Sequence, residues 1–131
     1  DVRPEEAAPV DGWHAATYVG DQNGLVAVCA CDDNFVAYAG AALTMIPAEV
    51  AQEMVRDGDF SEVVLANFHE VMNICSRLMV NDDSPHLRLD KTLLPDAARS
   101  DIAQIESSAS TKQFQVSIPS YGTGSIAFLI A

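Results

Sequence analysis

Apolar and polar residues form alternating blocks along the first third of the chain. Runs rich in Val, Ala and aromatic residues cover 13–19, 25–31 and 35–43, and turn-forming residues at 20–24 and 32–34 separate them. Short connections containing Gly, Asn and Asp are typical of hairpins. The pattern therefore predicts an antiparallel meander of three strands.

Helical signals follow this meander. A helix is predicted over 47–54, because its opening proline suits a first helical turn and Gly58 is a typical residue for a helix end. A second helix is predicted to begin near Asp59 or Ser61 and to run to about Val80, where a polar stretch follows. This second helix is the longest regular element that the pattern predicts.

The remainder of the chain predicts mainly strands. Residues 86–94 alternate well enough for a strand, with Pro95 at its exit, whereas 96–110 is ambiguous between a loop and a short helix. Apolar runs at 114–118 and 125–130 flank a segment rich in Pro, Ser and Gly, which indicates a final hairpin.

The first residues predict a different organisation from the rest. Residues 1–11 contain two prolines and adjacent glutamates, so we expect a polar, loosely ordered lead-in. Residues 12–131 have the length of one ordinary domain. The predicted fold is a mixed α/β one, of class α+β, with a mainly antiparallel sheet of about six strands packed against two helices.

Charge and composition exclude several classes of function. The chain carries 7 Lys and Arg against 19 Asp and Glu, a formal net charge of −12. Such a chain is repelled by DNA, RNA and anionic membranes, so no nucleic-acid partner is expected. Hydrophobic residues make up 49% of the chain, which is enough for a packed core. No stretch approaches the about 20 apolar residues of a membrane span, so no membrane association is expected.

The cysteines favour a reducing environment. Three cysteines are an odd number at low density, which does not indicate a disulfide scaffold. Cys29 and Cys31 alternate with alanine and should share one face of a strand as small buried side chains. Since free cysteines are typical of a reducing compartment, a cytoplasmic location is expected.

The second helix separates into an apolar face and a polar stripe when its residues are placed at about 100° intervals. Its predicted core-facing residues are Val64, Phe68, Val71, Met72, Cys75, Leu78 and Met79. Its opposite stripe holds Ala66, Glu70, Asn73 and Arg77, with Glu62 and His69 at the border. Glu and Asn on such a stripe are also common on ordinary solvated surfaces.

Asn73 is the informative residue of this stripe. Asparagine is unfavourable within a helix because its amide competes with the backbone for hydrogen bonds. A mid-helix asparagine therefore indicates a specific role, either in function or in contact with a neighbouring loop.

The pair Glu70 and Asn73 carries a resemblance to a known family. A Glu-x-x-Asn pair on a long helix, followed after about twenty residues by an apolar run at 87–94 that closes on Pro95, resembles the CheC-like family of chemotaxis phosphatases (CheC, CheX and FliY). The order of elements upstream of the pair is also similar. The resemblance covers about 19–95, and with a single motif it is closest to the CheX branch.

The resemblance implies a fold, an activity and a site. Family members hydrolyse the aspartyl phosphate of a CheY-like response regulator, whose own Mg²⁺ and Lys handle most of the phosphoryl charge. Asn73 would hold the attacking water, and Glu70 would pair with the regulator's active-site Lys. No cofactor is expected on this chain. The implied partner-docking face consists of Ala66, His69, Arg77 and Pro95.

Two departures leave an alternative open. The family usually has Asp or Ser one turn before the Glu, where this chain has Ala66, and the small glycine-rich segment after the Asn is replaced by 74–78. These departures favour a catalytically inactive CheC-like module that only docks on a receiver domain or another signalling partner. A third possibility is a small-ligand domain, which an apolar cleft remote from Glu70 would favour.

Assembly and metal binding are the remaining expectations. The CheX-like pattern implies a homodimer that pairs sheet edges. The three histidines, His14, His69 and His86, lie far apart in sequence and lack the spacing of metal ligands, so no metal site is expected.

Overall fold

The computed structural model describes residues 1–6, 10, 12–20, 24–79, 87–106 and 109–130. Its sheet has six antiparallel strands in the order β1-β5-β6-β3-β2-β4. The strands are β1 (Val2–Glu5), β2 (His14–Val19), β3 (Leu25–Cys31), β4 (Arg88–Leu93), β5 (Ser110–Ile118) and β6 (Gly122–Ile130). The helices are α1 (Asp33–Leu43), α2 (Ala48–Asp57), α3 (Glu62–Met79) and α4 (Pro95–Glu106). The predicted α+β class with an antiparallel six-stranded sheet is confirmed.

Helices lie on both faces of the sheet. On one face α1 and α3 bury a core around Tyr18, Phe35 and Phe68. On the other face α4 packs over a separate core that includes Ile102 and Leu129. Helix α2 packs on α1 rather than on the sheet. The prediction of two helices is wrong, because the described residues form four.

The first correction concerns residues 35–43, which form helix α1 and not a third strand of a meander. The helix begins where the Asp32 carboxylate accepts a hydrogen bond from the Phe35 amide at 2.8 Å. Alanine has the highest helix propensity, and α1 is rich in it. Alternation of alanine with larger residues fits either structure, and the Asp32 cap together with the alanine content favours the helix.

A close helix crossing fixes α1 against α3. A Cβ atom at Gly40 would lie only 2.8 Å from the carbonyl oxygen of Val64. Glycine is required here because the two backbones approach too closely for any side chain. The short approach sets α3 directly beside α1.

The second correction concerns the lead-in, which is not loosely ordered over residues 2–5. Val2–Glu5 forms edge strand β1, which pairs with β5 so that Val2 faces Val116. A proline is tolerated on an edge strand, because an outward amide is not needed for the ladder. The Gln113 amide also donates to the Glu5 carboxylate at 2.7 Å. The prediction for 7–9 and for residue 11 lies outside the described residues.

The remaining elements follow the predicted order. Helices α2 and α3 occur where they were predicted, with Gly58 in the left-handed conformation at the end of α2. The ambiguous segment 96–110 is mostly helix α4, which begins at Pro95. Strands β5 and β6 are longer than the predicted hairpin. His86 and the polar stretch 81–85 lie outside the described residues.

Replacing Asp32 is expected to test the cap that makes α1 a helix. Its carboxylate also accepts from the Ser125 amide at 3.1 Å, so Asp32→Ala removes two acceptor contacts. We expect a loss of about 1 to 2 kcal/mol in the free energy of unfolding, measured by urea denaturation. Burial raises the pKa of the Asp32 carboxyl, which means that the folded protein disfavours the charged form of this side chain. Asp32→Asn, which keeps the acceptor oxygen, should therefore retain most of the stability, and equal losses in both variants would contradict this account.

Candidate functional site

Helix α3 buries the apolar face that its periodicity predicts. Ser61 caps its first turn, accepting a hydrogen bond from the Val64 amide at 3.2 Å. Val64, Phe68 and Met72 are buried, and Val71 and Cys75 are half-buried. Their placement confirms the predicted core face, except that the side chains of Leu78 and Met79 lie outside the description.

The predicted polar stripe is exposed along α3. Its members Ala66, Glu70, Asn73 and Arg77 all face solvent, as do the border residues Glu62 and His69. Two exposed apolar residues, Val63 and Ile74, flank Glu70 on the side nearer α1. The outer face of α3 therefore combines a carboxylate, an amide and apolar side chains.

Two buried polar side chains fix how α3 is rotated on the domain. The hydroxyl of Tyr18, wholly buried on β2, donates to the carbonyl of Met72 at 2.6 Å. The amide of Asn67 donates at 2.9 Å both to the Gly40 carbonyl and to the Thr44 hydroxyl at the end of α1. A buried polar group without its partner is costly, so these bonds oppose rotation of α3 about its axis.

Glu70 and Asn73 keep their polar side-chain atoms available. Neither side chain forms a hydrogen bond to any other residue within the described part of the chain. The backbone carbonyl of Asn73 accepts from the Ser76 hydroxyl at 2.6 Å, which holds the local backbone. An amide can donate and accept at once, and a carboxylate can pair with a cation, so the pair presents complementary groups to a partner.

The predicted docking face lies on two different layers of the fold. Ala66 and Arg77 lie on the exposed side of α3, and the His69 ring nitrogen lies 3.3 Å from the Thr92 hydroxyl on edge strand β4. Pro95 opens α4, which packs on the opposite face of the sheet. The resemblance groups Pro95 with α3, whereas in the structure Pro95 follows edge strand β4 and opens the helix on the other face of the sheet.

The cysteines occupy the core beneath α3. Cys29 and Cys31 are wholly buried, and the Cys31 thiol lies 3.9 Å from the Met72 sulfur. Burial raises the pKa of the Cys31 thiol well above its usual range and that of Cys75 to about 12. The raised pKa makes the thiols of Cys31 and Cys75 poor nucleophiles. The prediction of small buried side chains at Cys29 and Cys31 is confirmed by their complete burial. Within the described residues, no three His, Cys, Asp or Glu side chains converge as metal ligands would.

His14 is a core residue that the sequence did not reveal. Its ring is buried with its centroid 5.0 Å from that of Phe60, and its Nε2 atom lies 3.1 Å from the Asp33 carboxylate. Burial lowers the pKa of His14, and the nearby Asp33 only partly opposes this shift. The burial depends on tertiary packing of α1 and α3 around β2, for which no local signal exists.

A small cavity lies on the α4 side of the sheet, remote from Glu70. Its volume is about 240 Å³, and Trp13, Pro95, Arg99 and Ile102 are among the residues that line it. Small-molecule sites usually have about 300 to 1,000 Å³. This cavity lies below that range.

Acidification is expected to destabilise the fold through His14. Because burial lowers its folded-state pKa below the ordinary 6.5, the unfolded chain binds the proton first. The free energy of unfolding should therefore fall as the pH drops from about 7.5 to about 5.5. In His14→Gln, which cannot titrate, this fall should be smaller when both proteins are unfolded in urea at each pH. Identical pH profiles would show that His14 does not contribute.

Similarity to other proteins does not identify the chain. Comparison with protein-family models, with curated proteins and with solved structures gives no match. None of the helices in the described residues is both long and apolar enough to cross a membrane. The functional interpretation therefore depends on the outer face of α3 and on the resemblance of its motif.

Proposed function

We propose that the protein is a phosphatase that hydrolyses the aspartyl phosphate of a CheY-like response regulator in chemotaxis or two-component signalling. The observation that carries the proposal is the placement of Glu70 and Asn73. Both lie exposed on one side of α3, whose orientation is fixed by the buried hydrogen bonds of Tyr18 and Asn67. Neither side chain forms a hydrogen bond with another described side chain. The resemblance of the motif to the CheC-like family supplies the reaction.

The reaction requires little from the phosphatase except positioning. An aspartyl phosphate is hydrolysed by a water in line with the bond that breaks, and the regulator's own Mg²⁺ and Lys neutralise the phosphoryl oxygens. The Asn73 amide would hold this water by donating to it or accepting from it, without changing protonation state. The Glu70 carboxylate would pair with the regulator's Lys and set the angle at which α3 docks.

The surroundings of the pair suit a protein substrate. Val63 and Ile74 are 56% and 55% exposed, and both lie on the solvent-facing side of α3 near Glu70. Apolar side chains around a polar centre exclude water once a partner covers them, and this strengthens the central contacts. A receiver domain covering α3 would bury these residues together with Glu70 and Asn73.

Because Ala66 has no polar side-chain atom, the polar contacts of the proposed site have to come from Glu70 and Asn73. Ala66 is exposed and offers only a methyl group one turn before Glu70. The neighbouring Asn67 cannot replace the missing polar residue, because its amide is buried and bonded to Gly40 and Thr44. Two side chains are enough for the proposed chemistry, since one orients water and the other orients the partner.

The homodimer implied by the resemblance stays a prediction. The free edges of the sheet are β1 and β4. Strand β4 carries the exposed charged residues Arg88, Asp90 and Lys91, and the short strand β1 contains Pro4. Charges and proline on an edge strand oppose pairing with another strand, so any dimer through these edges has to overcome them.

Asn73→Ala is expected to abolish most of the turnover. Loss of one positioned group commonly lowers kcat by about 100-fold to 1,000-fold, whereas KM for the phosphorylated regulator should change little. The measurement is the decay of aspartyl phosphate on a panel of response regulators from the same genome. Gln104→Ala removes an exposed amide from α4 and serves as the matched control, with wild-type activity expected.

The same experiment separates the two interpretations of the motif. If a regulator binds but its phosphate decays at its own rate with wild-type protein, the phosphatase proposal fails and the docking module remains. If Asn73→Ala accelerates decay as well as wild type does, Asn73 has no part in the reaction.

Charge reversal at Glu70 is expected to act on docking. In Glu70→Lys a cation would face the regulator's Lys, so KM should rise at least about tenfold, and the wild-type KM should rise with salt. Glu53→Lys, an exposed reversal on α2, is the matched control and should leave KM near wild type. An equal rise of KM in both variants would indicate that KM responds to the net charge of the protein and not to a contact at Glu70.

A further inference from the structure

Helices α1 and α2 end in the same backbone conformation with different residues. Gly58 ends α2 with φ 66°, and Met45 follows α1 with φ 59°. After α1 the amide of Met45 donates to the Ala42 carbonyl at 3.3 Å, and the amide of Ile46 donates to the Ala41 carbonyl at 2.9 Å. This pair of bonds is the Schellman motif, in which the left-handed position is usually glycine.

The strained backbone of Met45 is not offset by packing of its side chain. Left-handed backbone is unfavourable for a residue with a Cβ atom, and glycine avoids the strain. The Met45 side chain is 86% exposed, whereas the next residue, Ile46, packs with Ala41 in the small core between α1 and α2. A strained and exposed apolar side chain indicates a role outside folding.

Met45 lies beside the outer face of α3. The Thr44 hydroxyl that precedes it accepts from Asn67 at 2.9 Å, and Asn67 lies three residues before Glu70, about 4.5 Å along the helix axis. Leu43, the last residue of α1, and Val63, near the start of α3, are also exposed. Met45 therefore extends the exposed apolar surface of α3 toward α1.

A protein interface of ordinary size, centred on Glu70 and Asn73, is wide enough to include Met45. A stable interface covers about 800 Å² on each protein, which is a disc about 16 Å in radius. Asn67 lies about 9 Å along the helix from Asn73, so a receiver domain centred on Glu70 and Asn73 would also cover the end of α1. The occupant of this surface is then the regulator that Glu70 contacts.

We propose that Met45 is a specificity-determining contact residue, whose thioether packs against the response regulator that docks on Glu70 and Asn73. The inference rests on the proposed function and names a residue that the Glu-x-x-Asn motif does not include. An unbranched, polarisable side chain adapts to apolar surfaces of irregular shape. Differences among regulators in the surface that Met45 contacts would then select the cognate one.

Met45→Gly is expected to change stability and docking in opposite directions. The melting temperature should rise by a few degrees because the strain is removed, while KM for the cognate phosphorylated regulator should rise about 5-fold to 20-fold. Met45→Leu keeps an apolar side chain and should restore a KM near wild type. Gly58→Ala is the matched backbone control, and it should lower the melting temperature without changing KM.

Each outcome separates this inference from the proposed function. An unchanged KM in Met45→Gly, with turnover lost in Asn73→Ala, overturns the inference alone. A panel in which no regulator loses its phosphate faster overturns the proposed function and the inference with it. A dimer of wild-type protein that becomes a monomer in Met45→Gly, measured by light scattering, assigns the surface to a second copy and overturns the inference.

Discussion

The buried hydrogen bond from the Tyr18 hydroxyl to the Met72 carbonyl is the contact on which the proposed site depends. It joins β2, the strand next to edge strand β4, to the middle of α3 at 2.6 Å, and both groups are buried. Met72 is the residue before Asn73, so the bond holds the helix backbone next to the amide proposed to position the water. With the two bonds of Asn67 to the end of α1, it determines which side of α3 faces solvent.

This arrangement explains how an ordinary amphipathic helix can present a site. Half of α3 supplies core residues, and the other half is held outward by bonds made on the buried side. The close crossing at Gly40 and the cap at Asp32 place α1 so that Asn67 finds its partners. A reaction that needs only a positioned water and a docked partner can be served by such a rigid surface without a deep pocket.

Much of the fold followed from local patterns, and the errors share a physical cause. The periodicity of α3 predicted both its buried face and its exposed stripe, because a helix repeats its own geometry. The segment of α1 was predicted as a strand, since alternating alanines fit both structures; the cap at Asp32 and the helix propensity of alanine favour the helix. Strand β1 depends on pairing with β5, more than a hundred residues later, which local sequence does not encode. The positions of His14, Asn67 and Pro95 likewise depend on how layers pack, and Met45 is recognised only from its backbone angle.

The central claim is that the outer face of α3 accelerates the loss of a phosphoryl group from a response regulator. The most direct measurement is a single-turnover experiment, in which each phosphorylated regulator of the same genome is mixed with excess wild-type protein and its phosphate is followed in time. The account predicts that one regulator loses its phosphate at a rate that rises with protein concentration and then saturates, as docking at α3 requires. Decay of every regulator at its own intrinsic rate would contradict the account.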